Sequence, residues 1–273
     1  MHDNGHDNRL DIEQRAFQGD AAAQCAVGDE YFFAAFDAEP DDKDDLYKKS
    51  LYWYQRAAHA GSAAGAYDLG YQYEHGLGTE ADLDEALFWY ERAAAKGHAE
   101  AENNLGHLYE MGDGVAQDYE KALYWYLQAA NHGDSDGQCN AAIMYQFGYA
   151  GKADYEKAAY WYAKAAASDN AIAENNLGYL YETGRGVTMD LTEAAKWYRK
   201  AAMNGDGPAQ NNLGVLCRDG RGLARDLVQA AYWFAQSAAS GYKEGIKNYA
   251  QALEKGEGVE KNEKEAAYWR NLV

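Results

Sequence analysis

Few residues in this 273-residue chain have the types and spacing that catalysis requires, and no grouping survives a check of its surroundings. Gly-x-Gly at 76/78, 112/114, 184/186, 220/222 and 256/258 has the spacing of a phosphate cradle. Five copies in one register mark a backbone requirement instead, and neither a preceding strand pattern nor a P-loop lysine accompanies them. Ser168-Asp169-Asn170 and Ser240-Gly241-Tyr242-Lys243 contain the nucleophile and proton-relay types of a serine acyl-transfer site. They stand in the wrong order for that chemistry, and no Lys-Thr-Gly follows. The seven His and three Cys form neither His-Glu-x-x-His nor Cys-x-x-Cys, so a zinc centre is not expected. The reading is a chain that is not an enzyme, with no catalytic residues, no metal site and no cofactor.

What the sequence does organise is spacing on a longer scale. Trp53, Trp89, Trp125, Trp161, Trp197, Trp233 and Trp269 are the only tryptophans, and each lies 36 residues after the last. A period of about 20 to 50 residues marks a repeat array. The residue after each Trp is Tyr54, Tyr90, Tyr126, Tyr162, Tyr198, Phe234 or Arg270, and the one before is Tyr52, Phe88, Tyr124, Tyr160, Lys196, Tyr232 or Tyr268. These columns are expected to be consumed by stacking between repeats, which makes them poor material for a ligand cage.

The same register holds the punctuation of two helices. Gly28, Gly70, Gly106, Gly178 and Gly214 form one column inside apolar stretches such as Leu105-Gly106 to Tyr109, where a missing side chain lets a neighbouring helix approach. Asp82, Asp118, Asp154, Asp190, Asp226 and Asn262 occupy N-cap positions, and Glu85, Glu193, Gln229 and Glu265 three residues on are expected to complete capping boxes. Each repeat therefore reads as helix A, turn, helix B, with the third covering about 98–111 and about 118–132.

Residues 1–9 read as a disordered tail, 10–19 as a capping helix and about 20 to 273 as repeats, so that 10–273 is expected to be a single solenoid. The first repeat carries six extra residues, read as an acidic solvated loop at 38–45. Cys25, Cys139 and Cys217 are expected to be unpaired, which together with the polar N-terminus suggests a cytoplasmic address. Lys and Arg number 25 against 44 Asp and Glu, a net charge of −19 that weighs against nucleic acid and anionic membrane surfaces as ligands. No apolar run approaches the roughly 18 residues of a membrane span.

The consensus Ala-x-x-Asn-Leu-Gly-x-x-Tyr, then Gly-x-Gly, then Ala-x-x-Trp-Tyr-x-x-Ala-Ala is clearest over Ala101 to Gly133, Ala173 to Gly205 and Ala209 to Gly241. It resembles the Sel-1-like repeat family. The resemblance implies an all-α, right-handed superhelical solenoid of about seven 36-residue repeats, akin to tetratricopeptide arrays, that acts as an adaptor or scaffold for other proteins. It also implies that helix A lines a concave face, where Tyr67, Tyr71, Asn103, His107, Asn175, Tyr179, Asn211 and Arg218 are the candidate partner-binding residues. Tyr offers rigid contact area, and Asn offers both a donor and an acceptor to a peptide backbone.

A second column, Asp68, Asn104, Asn140, Asn176, Asn212 and Asn248, recurs too regularly for specificity and is expected to bond neighbouring helix backbone as a ladder. The acidity points to a protein or peptide with a basic surface. Two alternatives stay open: an immunity-type protein neutralising a cationic toxin in the cytoplasm, and, more remotely, a β-lactamase-like hydrolase.

Overall fold

In the computed structural model, which describes residues 4–273, every regular element among the described residues is a helix. A first helix, α1 (Asn4–Phe17), is followed by pairs: α2 (Ala21–Asp37) with α3 (Pro40–His59), α4 (Ala63–His75) with α5 (Leu83–Ala94), and α6 (Ala99–Met111) with α7 (Tyr119–Asn131). Then come α8 (Ser135–Phe147) with α9 (Tyr155–Ala167), α10 (Ala171–Thr183) with α11 (Leu191–Met203), α12 (Gly207–Asp219) with α13 (Leu227–Ala239), and α14 (Lys243–Lys255) with α15 (Glu263–Arg270). The chain falls into two compact units, one ending at Gly137 and the other starting at Gln138.

Within each unit one construction recurs. Helix A ends on a left-handed glycine, Gly112 in the third repeat, whose N–H returns to the Leu108 carbonyl. Two residues on, the second glycine of the pair sits against the repeat before it. A Cβ on Gly78 would stand 2.5 Å from the Tyr47 backbone, and its φ of +70° is the left-handed region that favours glycine. Helix B then opens on an Asp whose side chain accepts from the first-turn N–H groups, as Asp118 does from Lys121.

The expected capping boxes are only half made. The N-cap N–H groups of Asp82, Asp118, Asp190 and Asp226 donate to the carbonyls of Tyr73, Tyr109, Tyr181 and Cys217 at the end of helix A, so no reciprocal bond to the third residue is needed. That closure holds the two helices as a hairpin. Glu85 is released to accept from the Trp89 indole at 3.1 Å instead.

The three aromatic columns separate by depth. Tyr54, Tyr90, Tyr126, Tyr162, Tyr198 and Phe234 are at most 2% exposed, and all but Tyr162, which has Ala142 at that register, lie where a helix-A glycine has no side chain; a Cβ on Gly106 would meet the Tyr126 ring at 2.5 Å. Trp53, Trp89 and Trp161 are buried beside them, and Trp125, Trp197, Trp233 and Trp269 are half-buried. The third column corrects the expectation that all three are consumed by stacking. Tyr52, Phe88, Tyr124, Tyr160, Tyr232 and Tyr268 are 43% to 60% exposed. Each packs edge-on against its own Trp, with ring centroids 4.9 to 5.6 Å apart.

Two further expectations change. Residues 38–45 do not form a loop: α2 is 17 and α3 20 residues long, against 13 for most helices, so the insertion lengthens both and leaves only residues 38–39 between them. Pro40 at the start of α3, with Asp42, Asp44 and Asp45 close behind, suits a helix N-terminus both in φ and in charge. At the front, α1 begins at Asn4, ahead of the expected helix start at residue 10, while residues 1–3 of the expected tail lie outside the described residues. Cys25, Cys139 and Cys217 are buried and lie outside any disulfide.

Candidate functional site

Before a ligand can be placed, the polar groups that the fold itself uses must be set aside. Each buried tyrosine hydroxyl donates across to helix A: Tyr90 to Glu74 and Tyr126 to Glu110 at 2.6 Å in the first unit, Tyr162 to Gln146 and Tyr198 to Glu182 at 2.7 Å in the second. Burial and the facing carboxylates push the Tyr90, Tyr126 and Tyr198 hydroxyls well above the ordinary tyrosine pKa, and burial does the same to Tyr162. The exception proves complementary. Where the hydroxyl is missing, at Phe234, helix A carries Arg218, whose guanidinium lies over the ring at 5.8 Å.

At two positions of the asparagine column the expected ladder runs between side chains. Asn212 donates to Asn175 at 3.1 Å and Asn248 to Asn211 at 2.7 Å, each joining helix A of one repeat to helix A of the next. Buried carboxylates supply another tie. Glu174, with none of its side chain exposed, meets Lys200 at 2.9 Å, and Lys200 also donates to the Ala166 carbonyl of the preceding repeat at 2.8 Å. In the first unit the corresponding Glu102 meets His132 at 2.7 Å.

The expected partner-binding residues then divide. Asn211 is buried in the ladder, Arg218 is engaged with Asp219 at 2.8 Å, Asn103 is half-buried and His107 is exposed. Asn175 and Tyr179 line an open groove of about 310 Å³ in the second unit, together with Gln146, Phe147, Arg185 and Tyr242. Arg185 reaches over the Tyr155 and Tyr179 rings at 5.3 and 5.9 Å, a cation held on an aromatic surface.

Tyr67 and Tyr71 line a separate cavity of about 160 Å³ in the first unit, with Asp29, Phe32, Phe33, Tyr54 and Asp68. Two departures from the repeat build it. Phe32 stands where later repeats carry Glu74 or Glu110, so the Tyr54 hydroxyl turns to Asp29, one helical turn earlier, at 2.7 Å. Asp68 stands where the next five repeats carry Asn. Burial, then the neighbouring Asp29 and Glu100, push the Asp68 carboxyl up to about 7, and burial with the Asp68 charge pushes the Tyr67 hydroxyl up to about 12. Sequence reading placed Asp68 with the structural column. Its departure from Asn was the signal that could have singled it out.

A larger cavity of about 480 Å³ lies in the first unit among His59, Phe88, Trp89, Arg92 and Lys96. Its cations are already engaged, Lys96 with the Gly61 carbonyl and Arg92 over the Phe88 ring at 4.4 Å. Among the described residues no group of three or more His, Cys, Asp or Glu is placed to hold a metal, and no helix is long and apolar enough to cross a membrane.

Comparison with known proteins gives a consistent picture. The profile of the Sel1 repeat matches residues 21–62, 63–98, 99–134, 135–170, 171–206, 207–242 and 244–269. A protective antigen of uropathogenic Escherichia coli displaying an SLR fold is 34% identical, with a TM-score of 0.86 over 97% of this chain; the chain spans 55% of that protein. A Sel1 repeat protein from Oxalobacter formigenes is 28% identical, with a TM-score of 0.81 over 91% of this chain and 96% of its own. An immunity protein of Pseudomonas aeruginosa is 16% identical, with a TM-score of 0.51 over 80% of this chain and 83% of its own, a likeness of fold. No curated protein matches the sequence.

Proposed function

Because the chain belongs to the Sel1 repeat family, whose members are in general non-enzymatic scaffolds that bind proteins, we propose that it is an adaptor that holds a basic protein or peptide partner against the concave face formed by helix A of its repeats. One observation carries the proposal. Four of the residues singled out on those helices, Tyr67, Tyr71, Asn175 and Tyr179, line two cavities, one in each unit, whose walls combine aromatic rings with amide or carboxylate groups. Such walls suit an extended polypeptide, since rings supply contact area at low entropic cost and amides pair with backbone. The net charge of −19 supports a basic partner through electrostatic steering.

The test compares wild type with Tyr71→Ala/Tyr179→Ala, both used as bait in lysate of the source organism with cross-linking and mass spectrometry. A partner retained by wild type and lost by the variant, with far-UV circular dichroism unchanged, is the expected result. Equal recovery by both would remove the helix-A surface from consideration. The acidity also favours a second reading, neutralisation of a cationic toxin. Co-expression with a toxin-like neighbouring gene separates the two, because rescue of growth belongs to neutralisation and a scaffold gives none.

A further inference from the structure

The cavity formed by α2, α3 and α4 combines two features that the array otherwise keeps apart. Tyrosine hydroxyls elsewhere donate to one carboxylate or amide, and asparagines fill the neighbouring column. Here Asp29 and Asp68 both line one space of about 160 Å³, walled by Phe32, Phe33, Tyr67 and Tyr71, with no Lys or Arg at its lining. Among the described residues the Asp68 carboxylate has no hydrogen bond or ion pair, and Phe33 is exposed at the rim. Two half-buried carboxylates without a counter-cation repel one another, and aromatic faces attract a cation most strongly where water is partly excluded. A cavity of about this volume holds a ligand of roughly benzene size, close to that of a lysine side chain.

We propose that this cavity is a cation pocket that receives the ammonium group of a lysine side chain presented by the bound protein. The pocket rests on the reading of the chain as a binder of basic polypeptides and names the group that is recognised. The aliphatic stem lies along Phe33 and Tyr71, and the ammonium replaces the missing counter-charge between Asp29 and Asp68. Arginine would set a broader planar head against the same walls, so the alkyl ammonium is the specified ligand.

The test uses the full chain and small probes. n-Butylammonium is titrated and followed by NMR chemical shifts of backbone amides, against n-pentanol as the uncharged counterpart and n-propylguanidinium as the planar cation. Butylammonium is expected to shift amides around Asp29, Asp68 and Tyr71, with pentanol leaving them in place. Asp68→Asn restores the residue found at the next five repeats, so it is compatible with folding, and it is expected to weaken butylammonium binding at least about tenfold. Glu91→Gln, which removes an exposed charge on α5, is expected to leave binding unchanged and so reports on diffuse attraction to an acidic surface. Equal loss in the two variants, equal response to pentanol, or tighter binding of the guanidinium would each overturn the assignment. No protein partner enters this measurement, so its failure removes the lysine pocket alone, whereas the bait comparison bears on the adaptor reading.

Discussion

Removing one oxygen from Tyr126 separates hydrogen bonding from packing in this array. The ring is 1% exposed and fills the gap left by Gly106, so Tyr126→Phe keeps the apolar contact and deletes only the donor to Glu110, which it meets at 2.6 Å. A hydrogen bond to a charged group contributes about 1.5 to 3 kcal/mol. Glu110 is half-buried, and water can partly replace the donor, which places the expected loss in the lower part of that range, about 1.5 to 2 kcal/mol. For a chain of this size that corresponds to a Tm lower by roughly 3 to 8 °C. The assay is urea unfolding followed by far-UV circular dichroism, run as a double-mutant cycle with Glu110→Ala, where a coupling of about 1 kcal/mol is expected. The molecule also contains the mirror experiment. Phe234→Tyr would set a hydroxyl whose proton meets no carboxylate opposite Arg218, a guanidinium already engaged with Asp219, and is expected to bring no gain in stability. An unchanged stability in Tyr126→Phe, or the same loss with Glu110 already removed, would refute the account of the tyrosine column.

Three further outcomes follow from groups already described. The buried hydroxyls of Tyr54, Tyr90, Tyr126, Tyr162 and Tyr198 all have raised pKa values, so their share of stability is complete below the unfolded tyrosine value of about 10 and is lost as pH rises above it, at up to about 1.4 kcal/mol per pH unit each. Ultraviolet titration is expected to show exposed tyrosines ionising first and the buried set only together with loss of helix; a single smooth step with helicity intact would contradict this. Asp68 has a folded value raised to about 7, so the stability linked to its protonated form is present below about 4 and lost as pH rises toward 7. Asp68→Asn is therefore expected to stabilise the chain at pH 8 and to lose that advantage by about pH 4, and denaturation at both pH values measures the difference. Lys200→Ala leaves the fully buried Glu174 with only the weaker Asn204 contact at 3.3 Å and is expected to cost about 2 to 3 kcal/mol, while Glu174→Gln, the residue at Gln138 and Gln210, costs less than about 1; chemical denaturation that ranks them the other way would remove the buried ion pair from the argument.

What could be read from sequence was whatever is decided locally. Helix ends depend on single residues, so Asp118 as N-cap and Gly112 as left-handed terminator are visible without coordinates, and the 36-residue spacing of Trp53 through Trp269 multiplies each such signal. Depth was less legible, because adjacent residues on a helix point about 100° apart. Tyr124, Trp125 and Tyr126 look equivalent as letters, yet one faces out, one lies at the margin and one fills the core. The acidic stretch before Leu46 read as a loop because charge suggests solvation, but charge at that end of a helix also complements its dipole. The cavity was the least legible feature, since Asp29 and Asp68 belong to different repeats and meet only when α2 and α4 are packed side by side.

The pairing of helix A with helix B also sets where such a gene can be cut. Tyr126 and Glu110, or Phe234 and Arg218, lie on one continuous stretch of chain, as do Asp118 and the Tyr109 carbonyl it closes upon. A crossover just ahead of a helix A carries each of these partnerships intact into its new neighbourhood. One placed in the turn of the α12–α13 hairpin would join a tyrosine to Arg218, or Phe234 to a glutamate. Lengthening or shortening by whole 36-residue steps is thus the inheritance that this chemistry tolerates, and hybrids joined within the α12–α13 hairpin are the ones it disfavours.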